Sequence, residues 1–159
     1  MPDMLFIREF AIERGKTVEN INESAVRQIV EQVLTRMEEE AFVKEKDPSG
    51  IIKIQTATVK CQPFGGAPGV YLKDIVDLNE APRMGAGIME IDHTSFEWTL
   101  DYDEYDMVIS GVLNIVMDGR NITGQPGDII YIPKGSHIHF QSNTKARYAY
   151  FVYPADWQK

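Results

Sequence analysis

From Ile51 onward no stretch of the chain sustains a helical period. Short β-rich runs follow one another instead: "IIKIQTATV", "GAGIMEI", "MVISGVLNIVM", "DIIYIP" and "RYAYFVY". Turn signals separate them, in "QPFGGAPG", "DGRN", "GQPGD" and "PKGSH". Strands this short and this numerous bury their apolar faces only against one another, which predicts an all-β sandwich or barrel over residues 51–159. The full 159 residues suffice for one such domain and an appendage.

The appendage has a different period. In "NINESAVRQIVEQVLTRMEEEA", Val26, Ile29, Val30, Val33, Leu34 and Met37 recur three and four apart. That spacing draws one apolar stripe along an amphipathic helix over about residues 22–40. Asn22 is placed to cap it, and Glu23 favours its first turn. "KEKDPSG" then breaks the pattern and reads as a linker or turn, so residues 1–50 form an N-terminal segment. Alone in water, such a stripe stays exposed. It packs on its own barrel or a second subunit, or it docks on another protein.

Charge narrows the partners. A formal net charge of -8 and a pI near 4.9 argue against non-specific binding to nucleic acid or to an anionic membrane. The single cysteine, Cys61, excludes an internal disulfide and fits a reducing cytoplasm. "MPDMLFIREFAIERGK" mixes acids with its apolar residues and reads as neither signal peptide nor membrane span.

The most unusual stretch is "EWTLDYDEYDMVISG", Glu97 to Gly111, which crowds five acidic residues into strand-like sequence. Downstream, "GQPGDIIYIPKGSHIHFQSN" carries a tight Pro-Gly-Asp turn, a short strand ending at Pro133, and Gly135 at the next bend. The two resemble the two motifs of the cupin superfamily. Gly127, Pro133 and Gly135 match the second motif, and Asn143 lies near its end. Glu104 and Gly111 match the glutamate and glycine of the first. Glu97 and Thr99 stand where that motif has its two metal-binding histidines. Ile138 takes the histidine register of the second motif, between His137 and His139. The resemblance therefore implies a cupin fold, a double-stranded β-helix or jelly-roll barrel, without the usual iron or zinc site.

The words "WTLDYDEYDMVISG", "IPKGSHIHF" and "YPADW" are similar to signatures of the ethanolamine-utilization cupin family called EutQ. That resemblance implies a bacterial microcompartment. It also implies acetate kinase activity, which interconverts acetyl phosphate plus ADP with acetate plus ATP. Mg2+ and ATP or ADP would then be required. Cupin analogy further implies a homodimer, paired through outer sheet faces and edge strands. The alternative is a non-enzymatic dimeric scaffold or small-molecule-binding cupin whose N-terminal helix docks on shell or cargo proteins.

Alternation along a strand sorts the candidate residues. If Glu104 points into the barrel, Asp106 and Val108 share its face, and Tyr102 does so on a regular strand. Thr99 looks inward by the motif's register. Thr99, Tyr102, Glu104 and Asp106 are thus the candidate catalytic cluster. Two buried carboxylates raise each other's pKa, and either could act as general acid or base, or both could hold Mg2+. Glu97, His137 and Lys134 are candidates for substrate contacts. Asp101 and Asp103 read as a solvated turn. His137 and His139 point outward if Ile138 points in, whereas a bulge after Gly135 would reverse them. Trp98 reads as outer-face packing, His93 as a loop residue, and Cys61 as chemically idle. Phosphoryl transfer needs cations near the phosphates, and Arg83, Lys134, Lys145 and Arg147 are the candidates. There is no P-loop, and no Lys or Arg between Arg83 and Arg120.

Overall fold

The computed structural model of the protein describes residues 23–158. The chain divides into two compact units, one ending at Ala41 and one running from Phe42 to Lys159. The first holds helix α1 (Glu23–Glu40), with Glu23 in its first turn. Arg27 bonds Glu23 one turn back at 2.9 Å, an exposed pair of modest value. Val30, Val33, Leu34 and Met37 of the predicted stripe are exposed. The expected cap, Asn22, lies outside the described residues. Among the described residues no helix is long and apolar enough to cross a membrane.

The second unit begins before the expected boundary at residue 51. Strands β1 (Lys44–Lys46) and β2 (Ile52–Ile54) form an antiparallel hairpin. The "KEKDPSG" segment supplies β1 and the hairpin's turn, so of the two expectations, linker or turn, it is the turn, and it belongs to the β unit. Asp47 makes the turn: its Oδ1 accepts from Ser49 N–H at 2.8 Å and its carbonyl accepts from Gly50 N–H at 2.9 Å.

The remaining strands are β3 (Gln62–Pro63), β4 (Val70–Asp74), β5 (Gly85–Thr99), β6 (Asp103–Ser110), β7 (Leu113–Met117), β8 (Arg120–Gly124), β9 (Ile129–Ile132) and β10 (His137–Tyr153). They form one antiparallel sheet in the order β3-β4-β5-β10-β6-β9, with β7 and β8 branching from β10. The long β10 pairs with β5 along most of its length. Its start also pairs with β7 and its end with β6. This sharing turns the sheet over on itself and encloses Leu100, Leu113, Ile115, Ile132, Ile138 and Tyr148 in one core. Gly111 lies at the β6–β7 corner with φ near 72°, and a Cβ there would stand 2.1 Å from the Lys145 carbonyl oxygen. Both facts explain why that position carries glycine.

A second, smaller core of Val59, Ile75, Ile88 and Ala149 lies on the other side of the sheet, under Phe42, Ile54 and Cys61. Arg147 ties that layer down. Its guanidinium donates to the carbonyls of Thr56 (2.8 Å) and Val59 (2.9 Å) and to Glu90 (2.5 Å). Burial pushes the Cys61 thiol up to about 11, so it is a poor nucleophile.

Candidate functional site

One parity runs through the acidic stretch. Phe96, Trp98, Leu100, Tyr102, Glu104, Asp106 and Val108 turn inward, while Glu97, Thr99, Asp101, Tyr105 and Met107 are exposed. The corner between β5 and β6 does not interrupt the alternation. Thr99 therefore does not join the interior cluster, because Trp98 and Leu100 take the inward positions on either side of it. Trp98 is likewise not an outer-face residue. Its ring packs with Phe64, Phe96 and Trp157, and its indole N–H donates to Tyr102 Oη at 2.7 Å. Asp103 faces outward but is no turn residue. It opens β6, half-buried, and accepts from Tyr131 Oη and Lys134 N–H, each at 2.9 Å. Those bonds hold its carboxyl below the usual range.

The interior brings Tyr102, Glu104 and Asp106 together. Glu104 is 5% exposed and Asp106 is fully buried. In register, Glu104 stands between Val152 and Ile132, and Asp106 between Tyr150 and Ile130. Neither Asp106 oxygen has a hydrogen-bond partner among the described residues. Burial pushes Glu104 up to about 7. Burial, reinforced by the neighbouring Glu104 charge, holds Asp106 well above the carboxylate range. The pair consequently keeps a proton near neutral pH. Burial raises Tyr102, Tyr148 and Tyr150 too, so the aromatic wall around the pair stays uncharged.

Between Glu104, Trp98, Tyr148 and Trp157 lies a cavity of about 10 Å3. It has room for roughly one water and excludes a nucleotide. A Mg2+ ion wants ionised oxygens and several retained waters. A proton-holding pair in a space this small does not fit it, and among the described residues no group of three ligating side chains is placed to hold a metal. The pair holds its proton in an apolar sleeve.

A second cavity of about 510 Å3 opens beside the first, lined among others by Lys44, Asp74, Asp77, Glu80, Asp156 and Trp157. Sequence reading missed it, because its walls come from β4, the loop after it and the C-terminal turn. Trp157 lines both cavities. Tyr150, on the interior wall, donates its hydroxyl to Asp74 of the outer groove. Glu80 accepts from Lys44 at 2.7 Å and pairs with Lys46, and these ammonium groups hold its carboxyl down to about 2. The alternation of Tyr148 and Tyr150 in "RYAYFVY" was the one sequence signal for this wall.

The remaining candidates lie on the outside. Glu97, Thr99 and His137 meet on the outer face of β5 and β10. His137 Nε2 is 2.8 Å from Glu97 Oε1, and its Nδ1 is 2.6 Å from Thr99 Oγ1. Ile138 is buried and His139 half-buried on the outer side, so no bulge reverses the histidines. His93 lies within β5, where its Nδ1 is 2.5 Å from Asp92 Oδ1, and not in a loop. Lys134 and Arg83 are exposed. Lys145 and Arg147 are committed to Glu90.

A jelly roll with Gly111, Gly127 and Gly135 in place, and with Glu97 and Thr99 at the positions where metal-binding histidines are usual, defines a cupin. An RmlC-like cupin from Shewanella frigidimarina shares the fold, with a TM-score of 0.52 at 15% identity over 62% of this chain and 86% of that one. The family model described as "Ethanolamine utilisation protein EutQ" matches residues 17–159. The chain belongs to the EutQ family. A relative from Clostridioides difficile (strain 630), named "Acetate kinase EutQ", is 46% identical over 145 residues, covering 87% of this chain and 92% of that protein. The solved structure of the Clostridium difficile EutQ protein aligns with a TM-score of 0.69 at 48% identity, over 73% of this chain and 89% of that one.

Proposed function

We propose that this EutQ protein is an acetate kinase, passing a phosphoryl group between acetyl phosphate and ADP to give acetate and ATP. Kinship with the Clostridioides difficile relative of that name supports the activity. The structural observation that carries the reading is the 510 Å3 groove, which shares Trp157 with the chamber of Glu104 and Asp106. The groove lies in the size range of small-molecule sites. Its carboxylates repel a bare polyphosphate, so the nucleotide enters as its Mg2+ complex, with the ion part of the substrate. As the bond from phosphorus to the acetate oxygen breaks, the proton-holding pair lends its proton to that oxygen through the one water its cavity admits, and recovers it when the acetic acid ionises.

The test is acetyl phosphate formation from acetate and MgATP by the purified chain. Glu104→Gln lowers turnover at least 100-fold while the melting transition persists. Full turnover in that variant removes Glu104 from the reaction.

Two further features bear on assembly in the cytoplasm. Tyr105, Met107, Ile129, Tyr131, Phe151 and Tyr153 are all exposed on one outer face of β6, β9 and β10. A second copy covers this face in a homodimer, and Tyr131→Glu shifts the sedimenting species to monomer. The exposed stripe of α1 docks on microcompartment shell or cargo proteins. Leu34→Asp with Met37→Asp then abolishes co-purification with shells, and unchanged association refutes the docking. If turnover is absent while docking holds, the chain is a non-enzymatic scaffold.

A further inference from the structure

The outer face of β5 and β10 carries a donor set that the kinase reading does not use. His137 and His139 are two apart on β10, so they share a face. Glu97 on β5 lies directly opposite His139 in register, and Thr99 directly opposite His137. Facing residues on adjacent strands have Cβ atoms about 5 Å apart, and diagonal ones about 7 Å. Two imidazoles and one carboxylate are thereby held within side-chain reach of a single point above the sheet.

The geometry points to a surface site for a divalent transition metal, with His137 Nε2, His139 and Glu97 as its protein ligands. His137 and Glu97 are already adjacent: their 2.8 Å contact approaches the edge of about 3.3 Å between two ligands of a tetrahedral zinc ion. A metal takes the place of the proton shared between them. Thr99 completes the arrangement. Its Oγ1 is 2.6 Å from His137 Nδ1; with the ring proton on Nδ1 it accepts that N–H, which leaves the Nε2 lone pair for the metal. Orientation of the far ring nitrogen by a second group is the usual support for a metal-bound histidine. His139 supplies the remaining ligand by rotating about its side-chain torsions, since among the described residues the three do not yet converge.

The donor chemistry selects the ion. Two imidazole nitrogens and one carboxylate oxygen suit Zn2+, Ni2+ or Cu2+, and Mg2+ prefers oxygen alone. Three protein ligands leave at least one position for water or an exogenous anion. The site stands apart from Glu104 and Asp106, on the opposite side of the sheet.

Zinc titration of the full chain by calorimetry, with the visible spectrum of Co2+ as a geometric readout, tests the site. One ion per chain is expected, and excess Mg2+ does not displace it. His137→Ala, His139→Ala and Glu97→Gln each weaken binding at least tenfold and bleach the Co2+ bands. Thr99→Val weakens it several-fold with the bands retained, as a positioning residue requires. His93→Ala and Glu104→Gln leave it unchanged. Absence of stoichiometric binding overturns the proposal. So does binding that survives His139→Ala, or that is lost in His93→Ala.

Discussion

Six residues of the acidic stretch and its strand partner divide between two environments. Tyr102, Glu104 and Asp106 face the jelly-roll interior; Glu97, Thr99 and His137 face outward. Five of the six lie between Glu97 and Asp106, yet the chemistry of the two trios diverges. Inside, burial forces a carboxyl pair to keep a proton, and Asp106 has only the neighbouring Glu104 carboxyl to answer it. Outside, the carboxylate finds an imidazole, and the imidazole finds a hydroxyl. Strand parity alone makes the assignment, so substitutions on the two faces have unequal effects.

The largest effect belongs to the interior wall. Tyr148 is fully buried and its hydroxyl reaches Met89 Sδ. Tyr148→Ala removes an aromatic ring from the centre of the core and costs about 3–5 kcal/mol, read from urea unfolding. A loss below about 1 kcal/mol would mean that the interior is loosely packed, and would blur the contrast between the faces.

The carboxyl pair gives the interior a pH signature. Glu104 and Asp106 have folded pKa values above their unfolded ones. The native state therefore binds protons more tightly than the unfolded chain. That contribution is complete below the unfolded carboxylate range and is lost as pH rises toward and through about 7, where Glu104 titrates. Stability should fall across this window, and Glu104→Gln should flatten the decline. At pH 8 the variant gains on the order of 2–3 kcal/mol over the parent. A parent stability independent of pH between 5 and 8 would show that the pair is solvated.

Arg147 lies between these extremes, half-buried on the outer side with its guanidinium fixed by Glu90 and two carbonyls. Arg147→Ala frees the segment around Thr56–Val59 and costs about 2 kcal/mol. Amide exchange localises the damage: residues 56–59 lose protection while β6 keeps it. Uniform loss of protection would mean that Arg147 supports the whole fold.

These contrasts also explain what could be read in advance. The helix is legible in a stripe at a 3.6-residue period, and the β unit in its turn residues and the three motif glycines, Gly111, Gly127 and Gly135. Tyr102, Glu104 and Asp106 followed from alternation once Glu104 was placed inside. Thr99 and Trp98 went wrong together. The motif's histidine register was carried across the corner at Leu100 to Tyr102, whereas bulky Trp98 and Leu100 claimed the interior. The turn at Asp47 is legible in its residues, but the hairpin around it is not, because its strands are only three residues long. The groove was invisible for another reason. Asp74, Glu80 and Trp157 are far apart in sequence, and only tertiary closure brings them to one wall.

The smallest effect belongs to the outer trio, and it is the sharpest test of the division. Glu97 and His137 are each more than half exposed, so water screens the contact between them. Thr99 is exposed as well. With a chelator present, Glu97→Gln and Thr99→Val should each shift stability by at most about 0.5 kcal/mol. Raising the ionic strength should shrink even that difference, since exposed charges are screened over a few ångströms in molar salt. The same Glu→Gln change thus stabilises inside at pH 8 and is nearly silent outside, seven positions away on a continuous alternation. A loss above 2 kcal/mol for Glu97→Gln would place that carboxylate in the interior after all and restore the motif's own register.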